Sequence, residues 1–183
     1  MSKIISDIRP RIIFVGGVHG VGKTTLCGSL YSQFNIEHHS ASKLIAKINE
    51  EDISSDKLVK NIQKNQDALI ISINEYLEPE KNYIIDGHFC LLNSKGFIER
   101  IPLSTYELMN LIGIIVLFDD PLNINKRLDD RDKMKFDINL LSRLQDEETS
   151  YAKYISEYLK TPFIKVNPFL DNKIISEFIS NFI

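Results

Sequence analysis

The chain has little of what staples a fold, spans a bilayer or grips nucleic acid. Its 183 residues include two cysteines, Cys27 and Cys90, too few for a disulfide framework or a four-thiolate metal site. Reduced thiols in a cytoplasmic protein are the simplest reading. Long apolar runs are absent. The longest, Leu111 to Phe118, falls far short of the roughly 20 residues a membrane-spanning helix needs, so no membrane partner is expected. The first residues break at Pro10 without a long apolar core, unlike a secretory leader. An excess of positive charge is missing too: 22 basic side chains stand against 25 acidic ones, a net charge of −3. General nucleic-acid binding needs a basic face and is not expected. There is no repeat, low-complexity tract or Gly/Ser linker, and the length fits one domain over residues 1–183. Arginine is scarce, with Arg9, Arg11, Arg100, Arg127, Arg131 and Arg143 the full set. Lysine abounds alongside isoleucine and asparagine, as coding bias would produce, so an arginine says more than a lysine.

What is present can build a core: 43% of residues are hydrophobic and 26% charged, outside the range of disordered chains. Short β-branched runs at 11–16, 82–86, 112–118 and 163–166, with a shorter one at 37–39, read as strands. Helical patterns fall between them, at about 23–34, 43–50, 54–78, 122–131, 138–159 and 170–182. Ser42 and Ser55 are candidate caps for the second and third, and Leu58, Ile62, Leu69 and Ile73 form the third's apolar stripe. Strands alternating with helices predict an α/β fold: a mainly parallel five-stranded sheet with helices on both faces, because parallel strands need crossover helices.

The strongest chemical signal is Gly17-Val18-His19-Gly20-Val21-Gly22-Lys23-Thr24, followed by Thr25. It fits the G-x-x-x-x-G-K-[ST] phosphate loop and sits between a strand and a helix, as the mechanism demands. Its glycines let successive N–H groups turn inward, and the helix start adds partial positive charge. Lys23 is placed to reach the β- and γ-phosphates of ATP, and the Thr24 hydroxyl to ligate Mg²⁺. Asp86, closing the second acidic strand, is placed to hold Mg²⁺ through water. The blander reading is a glycine-rich turn with no ligand.

A phosphate loop alone does not name a reaction. A GTPase is disfavoured because Asn125-Lys126-Arg127-Leu128 and Asn172-Lys173-Ile174-Ile175 both fail the Asn-Lys-x-Asp guanine pattern. A motor ATPase or AAA-type machine is disfavoured because Asp86 is followed by Gly87 rather than a water-polarising glutamate. A small phosphotransferase remains. Arg127 and Arg131 share one helix face just before a polar segment placed as a lid, where cations stabilise the transferring phosphoryl group. The alternative is a pair of solvated arginines beside Asp129, Asp130 and Asp132.

Several motifs together resemble the archaeal-type adenylate kinases and their bacterial phosphate-loop kinase relatives. These are residues 20–25, Ile85-Asp86-Gly87-His88, Lys95-Gly96-Phe97, Ile101-Pro102-Leu103, Asp120-Pro121 with Arg127 and Arg131, and Glu147-Glu148 ahead of Tyr151-Ala152. The resemblance implies a three-layer phosphate-loop fold with a helical acceptor-binding insertion at about 40–78 and a lid at about 127–137. It implies transfer of the ATP γ-phosphoryl group to a nucleoside monophosphate. Ser42, Lys60, Asn65 and Gln66 would face the acceptor, Gln66 best because an amide can read a base edge. A solvated helix face is the alternative for each. His88 is either an acceptor contact or a histidine bonded to backbone. His19 matters through its backbone, His38 and His39 read as strand-edge residues, and Cys27 as a small buried hydrophobe. Glu147, Glu148 and Tyr151 are expected to hold the C-terminal helix against the lid base, and Glu50-Glu51-Asp52 to be solvated. Leu92 stands where the resembling family has an arginine, which leaves the acceptor open; Lys57 and Lys60 could supply that charge. A different class stays open as well: an ATP-binding regulatory or assembly protein with slow ATPase activity.

Overall fold

The computed structural model describes residues 9–51, 62–93, 95–133 and 136–183. Along the chain run β1 (Arg11–Gly16), α1 (Lys23–Phe34), β2 (Glu37–Ser40), α2 (Ala41–Glu51) and α3 (Ile62–Tyr76). Then come β3 (Asn82–Gly87), β4 (Cys90–Leu92), β5 (Ile98–Arg100), α4 (Leu103–Leu108) and β6 (Leu111–Leu117). The chain ends with α5 (Pro121–Asp132), α6 (Ile138–Leu159), β7 (Phe163–Val166) and α7 (Asn172–Ser180).

Five strands form one parallel sheet in the order β2-β3-β1-β6-β7, flanked by helices in a three-layer α/β/α phosphate-loop fold. The central strands are apolar on both faces because helices cover both. Ile12, Ile13, Val15, Ile84, Ile85, Ile114, Ile115 and Val116 are all fully buried. Register brings the functional ends level: Gly16 of β1 lies beside Gly87 of β3 and Val116 of β6. Whatever follows these strands therefore emerges at one edge, the place where open α/β sheets bind ligands.

Three features depart from the sequence expectation. Helix α2 begins at Ala41, so Ser42 lies inside its first turn instead of capping it, and its hydroxyl meets that of Ser40 at 2.9 Å. Cys90–Leu92 and Ile98–Arg100 pair antiparallel, β4 with β5, and 103–108 form α4. Strands of three residues are too short to show an alternation period. Of the 54–78 stretch, Ser55 and Leu58 lie outside the described residues, while Leu69 and Ile73 are buried as expected. Asp120 and Asp137 cap α5 and α6 by accepting from Leu122 N–H and Leu140 N–H, each satisfying an otherwise unpaired amide.

A cleft from the phosphate loop to helices α2, α3 and α4

The loop after β1 takes left-handed backbone at Gly17, Gly20 and Gly22. None of these positions has room for a side chain either, and a Cβ on Gly17 would lie 2.9 Å from the Leu117 carbonyl oxygen. A Cβ on Gly20 would lie 2.8 Å from Leu128, and one on Gly22 would lie 3.0 Å from the Phe169 ring. Gly22 is the N-cap of α1, so the loop amides and the helix start point into the same space. Lys23 Nζ donates to the carbonyls of Gly17 at 2.6 Å and Val18 at 3.0 Å. Burial pulls the Lys23 pKa down and Arg131 adds to that, while Glu148 and Asp86 oppose it.

Lys23 stands at one end of a cavity of about 640 Å³. Gly20, Gly22, Thr24, Thr25, Arg127, Arg131 and Phe169 line that end. Ser42, Gln66, Thr105 and Met109, from α2, α3, α4 and the residue after α4, line the other, with Asp86 and His88 between. Of the residues expected at the site, Lys60 lies outside the described residues, as does Lys57. Gln66, for which the sequence favours a solvated helix face, is 5% exposed. Leu92 does not line the cavity; its neighbour Leu91 does, because β4 turns alternate side chains away. The lid segment divides: 127–132 belongs to α5, Lys133 ends that helix in left-handed backbone, and Lys135 lies outside the described residues.

The two arginines of α5 have different surroundings. Arg127 donates through Nε to the Gly20 carbonyl at 2.8 Å and through its fork to Asp119 Oδ2 at 2.6 Å, with its guanidinium 4.9 Å over the Phe169 ring. Asp119 is itself held by Asn123 and Asn167. Arg127 thus braces the phosphate loop, and a carboxylate already neutralises much of its charge. Arg131 lies one turn along on the same cavity wall.

Several side chains do more than the sequence suggested. His38, read only as a strand-edge residue, does sit on the edge strand, but its Nε2 meets Asp86 Oδ1 at 2.6 Å. Parallel pairing explains this: His38 lies opposite Ile84, two residues before Asp86 on the same face. His19 lines the cavity and its ring lies 4.4 Å from that of His88. Glu148, 1% exposed, accepts from the N–H groups of Phe89 and Cys90 and lies 3.5 Å from His88 Nδ1. Glu147 pairs with Arg100, and Tyr151 donates to the Ile101 carbonyl. These three residues therefore tie α6 to the segment 88–101, not to the lid base. The His38 and Glu148 contacts join residues distant in sequence, as does the packing that buries Gln66, and no local pattern announces them. Cys27 is fully buried, and burial pushes the Cys90 thiol up to about 12, so neither resembles a reactive nucleophile.

The donors near Lys23 suit a hard divalent cation. A threonine hydroxyl and a carboxylate, both on the cavity wall, are oxygen donors of the kind Mg²⁺ takes when it keeps most of its waters. No group of three or more potential metal-ligating His, Cys, Asp or Glu side chains occurs among the described residues. No described helix is long and apolar enough to cross a membrane.

Residues 16–142 match the model of a family described as AAA domain. No curated protein matches the chain. Among solved structures, a gluconokinase from Sinorhizobium meliloti superposes with a TM-score of 0.51 at 12% identity, covering 96% of this chain and 90% of that one. An uncharacterized protein from Eubacterium ventriosum superposes at 0.49 with 17% identity, covering 92% and 98%. At such identities the likeness concerns the fold alone.

Proposed function

Since the chain belongs to the AAA domain family, with its phosphate loop at the mouth of an enclosed cleft, we propose that it is an ATP- and Mg²⁺-dependent phosphotransferase. It moves the γ-phosphoryl group to a nucleotide or similar small acceptor, as the adenylate-kinase resemblance implies. One observation carries this reading: the phosphate loop opens into a cavity that continues well beyond it, between α2, α3 and α4. A nucleotide switch or simple ATPase has no use for a cavity that runs from its phosphate loop to side chains on three further helices.

In this reading Lys23 and the amides of residues 17–25 hold the β- and γ-phosphates. Thr24, and Asp86 through water, hold Mg²⁺, which when bound neutralises charge between those phosphates. Arg131 faces the charge that develops on the transferring group. Arg127, tied to Asp119 and Gly20, keeps the loop in shape and adds to the positive field. Closure of the acceptor-binding and lid segments over the substrates would exclude water and so limit wasteful hydrolysis. A domain spanning residues 1–183, with the acceptor insertion at about 40–78 and the lid at about 127–137, fits this division of labour.

The test is to mix ATP and Mg²⁺ with a panel of nucleotides, nucleosides and small alcohols, scoring both ADP and phosphorylated product. An acceptor-dependent rise in ADP with matching product is expected. ADP released at one rate whatever the acceptor would instead favour a regulatory or assembly protein with slow ATPase activity.

A further inference from the structure

The far half of the cleft is built differently from the near half. Its walls are Phe14, Ile45, Leu69, Leu91, Tyr106 and Met109. Phe14 and Tyr106 belong to one aromatic cluster with Phe89, with ring centroids 5.1–5.7 Å apart. Such a surface suits a planar ring. Neutral polar side chains interrupt it, Ser42, Asn65, Gln66 and Thr105, of which Gln66 and Thr105 are buried. Gln66 is 5% exposed, and among the described residues its amide makes no hydrogen bond. Thr105 is 3% exposed, and its Oγ1 is buried with no hydrogen-bond partner. Buried amides and hydroxyls are normally paired, and leaving them unpaired costs free energy. Both side chains line the cavity: the Gln66 amide is open to a ligand's hydrogen-bonding edge, and the Thr105 hydroxyl, buried just beneath the surface, would meet that edge by rotating about its Cα–Cβ bond.

Charge is distributed just as unevenly. Among the described residues, the cations lining the cavity are Lys23, Arg127 and Arg131, all on the phosphate loop or α5. The position that would carry an arginine by family resemblance, Leu92, is outside the cavity. In the phosphotransferase reading Lys23 and Arg131 serve the donor, so a phosphate on the acceptor would need fixed positive charge of its own. No described lysine or arginine of α2, α3 or α4 lines the cavity to supply it; Lys57 and Lys60 lie outside the described residues.

We propose that the acceptor is an uncharged, ring-bearing alcohol of the nucleoside type, with its planar heterocycle in the Phe14–Tyr106 pocket and its polar edge read by Gln66 and Thr105. This rests on the phosphotransferase reading and narrows it from nucleotides to their unphosphorylated precursors. The acceptor oxygen forms a bond to the γ-phosphorus while the bond from that phosphorus to the β,γ-bridging oxygen breaks. The bond's electron pair leaves on ADP, and the hydroxyl proton passes through a phosphoryl oxygen to water. The chain would then be consumer of a free nucleoside-type alcohol and source of its monophosphate.

The experiment compares adenosine, guanosine, cytidine, uridine and thymidine with their 5′-monophosphates as acceptors. Equilibrium binding of both sets is measured to protein loaded with a non-hydrolysable ATP analogue. At least one nucleoside is expected to be used with kcat/KM about ten-fold or more above its monophosphate. Gln66→Leu should raise the KM for that nucleoside about ten-fold, because the site loses its hydrogen-bonding reader, and Thr105→Val should act in the same direction. A monophosphate preferred about ten-fold over its nucleoside overturns the inference and leaves the kinase reading standing. Nucleosides that neither bind nor react, while another acceptor is phosphorylated, do the same. Nucleosides that bind selectively, with binding weakened by Gln66→Leu but no acceptor-dependent ADP, support the ring pocket and overturn the kinase reading beneath it.

Discussion

The chemistry proposed for the cleft divides unequally among single side chains. Lys23→Ala removes the ammonium proposed to hold the β- and γ-phosphates and should abolish turnover. Arg131→Ala should cut kcat on the order of 10²-fold, the scale of a lost transition-state cation. Wild-type turnover in either variant would refute the role of that residue. His38 offers a subtler test. Its Nε2, 2.6 Å from Asp86 Oδ1, fixes the carboxylate proposed to hold Mg²⁺ through water. Partners of this kind typically change metal affinity by about 10-fold or more. His38→Ala should therefore raise the Mg²⁺ concentration needed for half-maximal binding of an ATP analogue, and His38→Gln, which keeps a donor, should recover part of the loss. Equal Mg²⁺ requirements in all three proteins would show that the contact does not position Asp86.

Among the elements, α6 does the most to organise the cleft without lining it. Its Glu148 carboxylate accepts from two consecutive buried N–H groups, those of Phe89 and Cys90, just past the end of β3. That contact sets the course of the chain between His88 and the β4–β5 pair. It also places negative charge where it opposes the fall in the Lys23 pKa. Glu148→Ala should cost about 2 kcal/mol or more, because two buried donors lose their acceptor, and urea unfolding measures it. A loss below about 0.5 kcal/mol, the range of an ordinary surface substitution, would mean that the segment repacks freely. The β4–β5 pair and α4 went unread in sequence because each is short and lacks a period. The long, strongly patterned α6 was read to its residue limits.

Across the molecule, the network around Asp119 joins the carboxyl edge of β6, the phosphate loop, α5 and the segment after β7. Burial by itself would raise the Asp119 pKa. Hydrogen bonds from Arg127, Asn123 and the Asp120 N–H outweigh it and hold the carboxyl below its usual range. A carboxylate depressed in the folded state adds stability that is fully present above its unfolded pKa, near 3.9. That stability is lost as the pH falls through the lower, folded value. Asp119→Asn should therefore melt below wild type at neutral pH, and the gap should close as the pH falls through the lowered value of the folded carboxyl. A gap in Tm that stays constant from neutral to acid pH would show that Asp119 acts through shape rather than charge.

The amino-acid order alone determined the parallel sheet, the phosphate loop and the placement of two scarce arginines one helical turn apart. Each is written in local signals: apolar β-branched runs, glycines before Gly-Lys-Thr, and a helical period. Tertiary structure decided how those parts are used. Burial in the fold brought Gln66 and Thr105 to one wall, and strand register set His38 against Asp86. Arg127 was claimed by Asp119, while Leu92 was left outside the cavity. These are long-range contacts, fixed by which faces of distant segments pack together, and neither periodicity nor spacing along the chain encodes them.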